Sequence, residues 1–189
     1  MTSDYRTSEF KLGSIHGKSP TDRCREAQLR NHIFGTGNLV IDGGAKLKTR
    51  IRIVGYEVPI WRRGKSRDEC IDLLGYDETF KPWIIELKRA KSSEKLADVF
   101  TQVDRYVKAF DEGIRNAVQD EIRLRFLWQD FCFGSETGKM ILADRYFFKN
   151  QKTVLVGRSD VLLCSFARYS DEDSLLKSPR NEIRLKIEK

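Results

Sequence analysis

The sequence predicts one α/β domain: a mixed central β-sheet flanked by helices, one preceding the sheet and another packed on it. Three observations carry this expectation. Apolar residues alternate or run in short blocks of strand length between residues 39 and 61 and again between 70 and 88. From Leu96 to Phe110 they recur every three or four residues, which is the stripe of a buried helix face. Polar, glycine-bearing turns separate the blocks. A chain of 189 residues buries a sizeable core without disulfides, and no repeat or low-complexity segment divides it. A single domain over residues 1–189 is expected, with 1–19 a loosely ordered lead-in.

Taken in order, Phe10-Lys11-Leu12 reads as a short strand. Ser19-Pro20-Thr21-Asp22 opens a helix, because Pro and an acidic residue suit its first turn. Leu29, Ile33 and Phe34 give that helix an apolar face, and Gly35 is the expected stop. Residues 39–41, 50–54 and 56–60 read as strands, with a turn at Asp42-Gly43-Gly44. Ile71-Asp72-Leu73-Leu74 is a strand with one carboxylate set into it. After a turn-rich segment at 77–82, Trp83-Ile84-Ile85-Glu86-Leu87-Lys88 forms the next, and strands joined this closely pair antiparallel. Ser92-Ser93 is expected to cap the striped helix and Gly113 to end it. Residues 114–133 read as mainly helical, with Phe126, Leu127 and Trp128 in the core. The loop at 134–139 lacks the full glycine-lysine pattern of a phosphate-cradling loop, which excludes an ATPase. Residues 140–148 suit either strand or helix. Residues 153–157 and 161–164 read as buried strands, 170–181 as a polar loop and 182–188 as a last strand.

The chemistry concentrates on the 70–88 hairpin. A period of two puts Glu86 and Lys88 on one strand face, and Asp72 on the neighbouring strand brings a second carboxylate to the same place. Two like charges among apolar residues repel unless a cation sits between them. A hard divalent ion with oxygen ligands is the natural occupant, and the Lys88 ammonium beside it suits the positioning of a water for phosphodiester hydrolysis.

Asp72 followed by Glu86-Leu87-Lys88 resembles the motif of the PD-(D/E)XK nuclease superfamily, an Asp on one strand and Glu-x-Lys on the next. Gln102-x-x-x-Tyr106 on the following helix is similar to the added motif of its RecB-like and NucS-like branches, and the likeness spans roughly residues 55–110. The Val156-Gly157-Arg158 turn is similar to one in Shedu-type defence nucleases. The resemblance implies a restriction-endonuclease-like core and a Mg²⁺ (or Mn²⁺) ion held by Asp72, Glu86 and the Leu87 carbonyl. It also implies that Lys88 positions or activates the water and that Gln102 orients it or the phosphate, with Tyr106 either completing the catalytic set or packing in the core. Two further carboxylates are candidates. Glu26 matches the first-helix Glu of many members, with an exposed helical charge as the other reading. Glu57, in an apolar strand, is either a ligand, a support for Lys88 or a solvent-facing edge residue.

The implied function is a metal-dependent DNA endonuclease of the repair, recombination or phage-defence kind. The alternative is a noncatalytic nucleic-acid-binding or assembly module with the same residue pattern. A formal net charge of +7 suits DNA as a partner. The basic loop carrying Arg62, Arg63, Lys65 and Arg67, with Arg89 and Lys91 after the Glu-x-Lys strand, is the expected backbone-binding surface. Little chain remains for a recognition domain, so structure-directed cleavage, a homodimer or a specificity-supplying partner protein is expected. No apolar run approaches the ~20 residues of a membrane span, which predicts a soluble cytoplasmic protein without membrane contact. Cys24, Cys70, Cys132 and Cys164 lack metal-ligand spacing, and the last three read as reduced core residues.

Overall fold

The computed structural model describes residues 11–12, 25–42, 48–60, 70–151, 158–166, 169, 171–177 and 182–188. The expected helix start at 19–22, Cys24, the glycines of the 42–44 turn, the basic loop at 62–67 and the strand at 153–157 lie outside the described residues, as do Val156 and Gly157 of the Shedu-like turn.

The chain runs β1 (Lys11–Leu12), α1 (Arg25–Thr36), β2 (Asn38–Asp42), β3 (Lys48–Pro59), β4 (Cys70–Tyr76), β5 (Pro82–Lys88) and α2 (Leu96–Ala109). It continues through α3 (Arg115–Arg125), β6 (Gly138–Ala143), α4 (Arg145–Asn150), β7 (Val161–Phe166), α5 (Glu172–Leu176) and β8 (Ile183–Ile187). The expected restriction-endonuclease-like core, a mixed sheet flanked by helices, is not what these strands build. They order as β3-β2-β8-β7-β6-β5-β4, and β4 pairs back onto β3, so the sheet closes into a seven-stranded mixed barrel with few helices. β1 pairs with β3 outside this ring.

The closure rests on β3. The two short strands expected at 50–54 and 56–60 are one strand of 12 residues. β2 pairs with its Lys48–Arg52 half, while β4 pairs with the stretch from Arg52 to Pro59. One long strand therefore serves both ends of the ring. A period-two pattern assigns residues to faces and is silent on which edges meet, which is why the closure was not foreseen.

Each strand wall is packed on both sides. One face gathers Leu39, Ile51, Leu73, Ile85, Leu87, Met140, Cys164 and Leu185 with Leu29, Ile33 and Phe34 of α1. On the opposite face, α2 and α3 cover the β3-β4-β5 wall through Val58, Ile71, Ile84, Phe110 and Val118. α2 and α4 cover β6 and β7 through Val99, Val103, Ile141 and Phe147. β5 and β6 lie in parallel register and are buried almost throughout, as expected for strands with both faces covered.

The helices depart from expectation at their ends. α1 runs past Gly35 and stops at Gly37, whose left-handed φ of 78° lets its N–H reach the Ile33 carbonyl. α2 begins at Leu96 rather than at a Ser92-Ser93 cap, and the Gln151 side chain accepts the Leu96 N–H. Gly113 does not stop it: a π-helical turn over Phe110–Ile114 carries the chain into α3. Phe126 and Leu127 fall beyond α3 and are 38% and 83% exposed, so they are not core. The 170–181 segment contains α5, and the undecided 140–148 stretch divides into the end of β6 and the start of α4. Cys132 is exposed and is not a core thiol; Cys164 is buried, which pushes its thiol up to about 12. No helix among the described residues is long and apolar enough to cross a membrane.

Candidate metal centre

The β4–β5 connection is fixed by Asp77. Its carboxylate accepts the N–H groups of Thr79 and Lys81, the Thr79 hydroxyl and the Trp83 indole N–H, which sets the register of the antiparallel pair. Ladder pairing runs from Tyr76 and Pro82 to Leu73 and Ile85. At the next step the backbone link gives way to a side chain, the Leu87 N–H donating to Asp72 Oδ2 at 3.0 Å. The opening between the strands is where the charged residues meet.

Asp72, Glu86 and Lys88 are all buried there, with exposures of 8%, 2% and 4%. Lys88 Nζ donates to Glu86 Oε1 at 2.7 Å and sits 2.6 Å from Glu94 Oε2. Arg30, reaching in from α1, donates to Asp72 Oδ1 at 3.1 Å and to Glu57 Oε1 at 2.5 Å. Glu26 lies one turn earlier on α1, half-buried, and feels the charges of Asp72 and Lys88. Glu86 Oε2 is buried without a hydrogen-bond partner among the described residues. Among the described residues, five carboxylates therefore share one locality with two cations.

Burial first, and the neighbouring charges second, set the proton affinities. Burial, then the Asp72 charge, holds Glu86 well above the ordinary carboxyl range. Burial raises Asp72 against the opposing effect of the Leu87 N–H and Arg30, and burial followed by Asp72 raises Glu26. For Lys88 burial, the largest single influence, acts downward, but the Glu86 and Glu94 carboxylates together outweigh it and the ammonium is held above its usual range. The three carboxyl shifts share burial as their leading cause; neighbouring carboxylates add to it at Glu86 and Glu26, whereas at Asp72 the surrounding charges and the Leu87 N–H oppose it.

A pH dependence follows. The folded protein binds more protons than the unfolded chain once pH exceeds the ordinary carboxyl values of 3.8 for Asp72 and 4.5 for Glu86 and Glu26. Stability thus falls as pH rises from there through the raised folded values, and stays lowered beyond them. Lys88 contributes stability below its unfolded value, so its share is constant over that window. Metal-free melts at about pH 5 and about pH 8 are expected to show the higher Tm at the acid end. The Glu86→Gln protein, lacking one of these titrations, is expected to show a smaller difference, and an unchanged difference would count against the charge imbalance.

The structure brings Asp72, Leu87, Glu86, Lys88, Glu26 and Glu57 to one region. Glu57 is held by Arg30, and the second carboxylate on Lys88 is Glu94. Gln102 and Tyr106 are turned to each other, Gln102 Nε2 donating to the Tyr106 hydroxyl at 2.6 Å, and the Tyr106 ring packs with Val58, Ile71 and Ile84. Arg89 and Lys91 are exposed just beyond Lys88; Arg62, Arg63, Lys65 and Arg67 lie outside the described residues. Arg30 and Glu94 were missed by sequence reasoning. The signal for Arg30 was its position four residues after Glu26, which stacks the two on one helix face.

Among the described residues no set of three or more His, Cys, Asp or Glu side chains converges in ready-made ligand geometry. The donors present nevertheless suit a hard cation. They are carboxylate oxygens in net excess of negative charge, one of them buried and unpartnered, and magnesium commonly takes only one or two protein carboxylates with water completing its shell. No protein-family model matches the chain, and neither a curated protein nor a solved structure matches it.

Proposed function

We propose that this protein is a divalent-metal-dependent nuclease, an endonuclease hydrolysing DNA phosphodiester bonds in repair, recombination or phage defence, acting in the cytoplasm. The observation that carries the reading is buried Glu86, whose unpartnered oxygen lies in a carboxylate-rich opening beside Asp72 and whose other oxygen holds Lys88. The likeness to PD-(D/E)XK nucleases is one of residues and does not extend to the architecture of the chain. Folding alone gives no reason to gather these charges, since an unpaired buried carboxylate oxygen is costly.

Asp72 and Glu86 would hold Mg²⁺ or Mn²⁺, with Leu87 and Glu26 beside them; such an ion supplies a Lewis acid at the phosphoryl oxygen and favours ionisation of the attacking water. Lys88 is protonated throughout the neutral range, so it acts as a hydrogen-bond donor and point charge rather than as a base. Of its three N–H donors, Glu86 and Glu94 take two, and the third orients a water or a phosphate oxygen. Gln102 and Tyr106, as a hydrogen-bonded pair on α2, belong to the substrate-orienting set in this reading. Arg89 and Lys91, with the basic loop at 62–67, hold backbone phosphates on either side.

The test is incubation with supercoiled plasmid, linear duplex, single strand and a four-way junction in Mg²⁺, Mn²⁺ or EDTA. Metal-dependent cutting supports the reading and identifies the preferred form. DNA affinity should fall with salt, and replacing Arg62, Arg63 and Lys65 by Gln should flatten the log–log slope by about 0.9 for each phosphate that is no longer neutralised. An unchanged slope would remove the loop from the interface.

A second reading has its own support. Arg30 and Lys88 already compensate part of the acidic cluster, the arrangement of a noncatalytic nucleic-acid-binding or assembly module that keeps these residues for stability. Such a protein binds DNA equally with and without Mg²⁺ and takes up no metal in calorimetry. A homodimer or a partner protein supplying specificity fits either reading, and equilibrium sedimentation with and without DNA separates them.

A further inference from the structure

Arg30 holds an oxygen of Asp72, the carboxylate that the proposed ion would use. Its Nη1 is 3.1 Å from Asp72 Oδ1 and its Nη2 2.5 Å from Glu57 Oε1, while the Leu87 N–H takes Asp72 Oδ2. Both Asp72 oxygens are thus engaged, and the Arg30 side chain is only 14% exposed. Glu57 adopts a left-handed φ of 47° where β3 runs beside β4. A non-glycine residue holds that conformation only where its surroundings over-determine it, and the bond to Arg30 is one such restraint.

We propose that Arg30 is a built-in counter-cation: it neutralises Asp72 and Glu57 in the metal-free protein and competes with a divalent cation for this site. The inference rests on the reading that Asp72 and Glu86 take a divalent ion. A guanidinium cannot shed its proton, so it yields its place only by moving away or by sharing Asp72 against the repulsion of a second cation. Arg30 therefore weakens metal binding while stabilising the metal-free fold. An orienting role, in which Arg30 holds Asp72 ready for the ion, has the opposite consequence.

Mn²⁺ titrations by calorimetry, with melts at zero and saturating Mn²⁺ and no nucleic acid, compare wild type with Arg30→Met and Arg30→Lys. Methionine keeps an apolar side chain of useful length without the charge. Arg30→Met is expected to melt lower without metal, to bind Mn²⁺ about tenfold or more tightly than wild type, and to gain more in Tm on saturation. Arg30→Lys keeps the charge without the planar fork and is expected to fall between the two. If Arg30→Met does not fold alone, Mn²⁺ is expected to restore a cooperative melt. Equal or weaker Mn²⁺ binding in Arg30→Met overturns the inference. So does a failure of Mn²⁺ to restore folding, combined with no gain in affinity for Arg30→Lys. Wild-type protein that takes up no Mn²⁺ overturns the metal-dependent function as well, whereas uptake by wild type without a gain in the variants overturns this inference alone.

Discussion

Lys88→Ala is expected to lower metal-dependent DNA cleavage by roughly 10²- to 10³-fold, the range lost when one positioned hydrogen-bond donor is removed, while DNA binding is kept. The ammonium is buried between Glu86 and Glu94, far from the exposed Arg89 and Lys91 in environment though next to them in sequence. Its removal should therefore spare affinity that comes from exposed phosphate contacts. It also leaves Glu86 with two unpaired buried oxygens, so the metal-free variant is expected to melt below wild type. Saturating Mn²⁺ should narrow that gap, because an ion bound by the folded state restores stability by mass action. Melts measured beside the cleavage assay separate lost chemistry from lost folding. Full activity in a folded Lys88→Ala protein would sink the assignment, and loss of both binding and cutting would move Lys88 from the chemistry to the interface.

The residues of this site were legible because strand periodicity and a short connection suffice to place Asp72 near Glu86 and Lys88. Leu73 and Ile85 face each other in the ladder, and the next side chain along β4 is Asp72. What periodicity does not carry is the partner from a distant element. Arg30 meets Asp72 only because Leu29, Ile33 and Phe34 seat α1 on the face lined by Leu73 and Leu87. Glu94 reaches Lys88 because α2 starts at Leu96 and leaves residues 92–95 as an irregular segment that follows the 90–91 turn. The same limit explains Phe126 and Leu127: their apolarity is plain in the sequence, but α3 ends at Arg125 and leaves them outside it. For Gln102 and Tyr106, helical spacing made them neighbours, and the bond between them follows from that spacing alone. Closure of the sheet lay furthest from view, being a matter of which strand edges meet.

That closure can be tested at Gly75. It pairs with Ile53 on β3 and with Trp83 on β5, so it sits where the ring is sealed. A Cβ built on it would lie 2.6 Å from Ile51 Cγ2, 2.7 Å from the Arg52 carbonyl oxygen and 3.1 Å from Ile53 Cδ1. A side-chain methyl can turn aside, but the carbonyl belongs to the strand that β2 and β4 both hold, and shifting it strains two ladders at once. Gly75→Ala is therefore expected to destabilise the protein by about 1–3 kcal/mol, the usual range for overpacking, which lowers Tm by roughly 2–12 °C in a chain of this size. Gly134→Ala is the control. Its Cβ would come no closer than 3.5 Å to any neighbour, an ordinary contact, and a change within about 0.5 kcal/mol is expected. In an open sheet β3 would not lie against Gly75, and the two substitutions would be tolerated alike. Chemical denaturation of the two variants beside wild type decides between them, and because Gly75 lies on the strand that carries Asp72, a shifted seam should also register as weaker Mn²⁺ uptake.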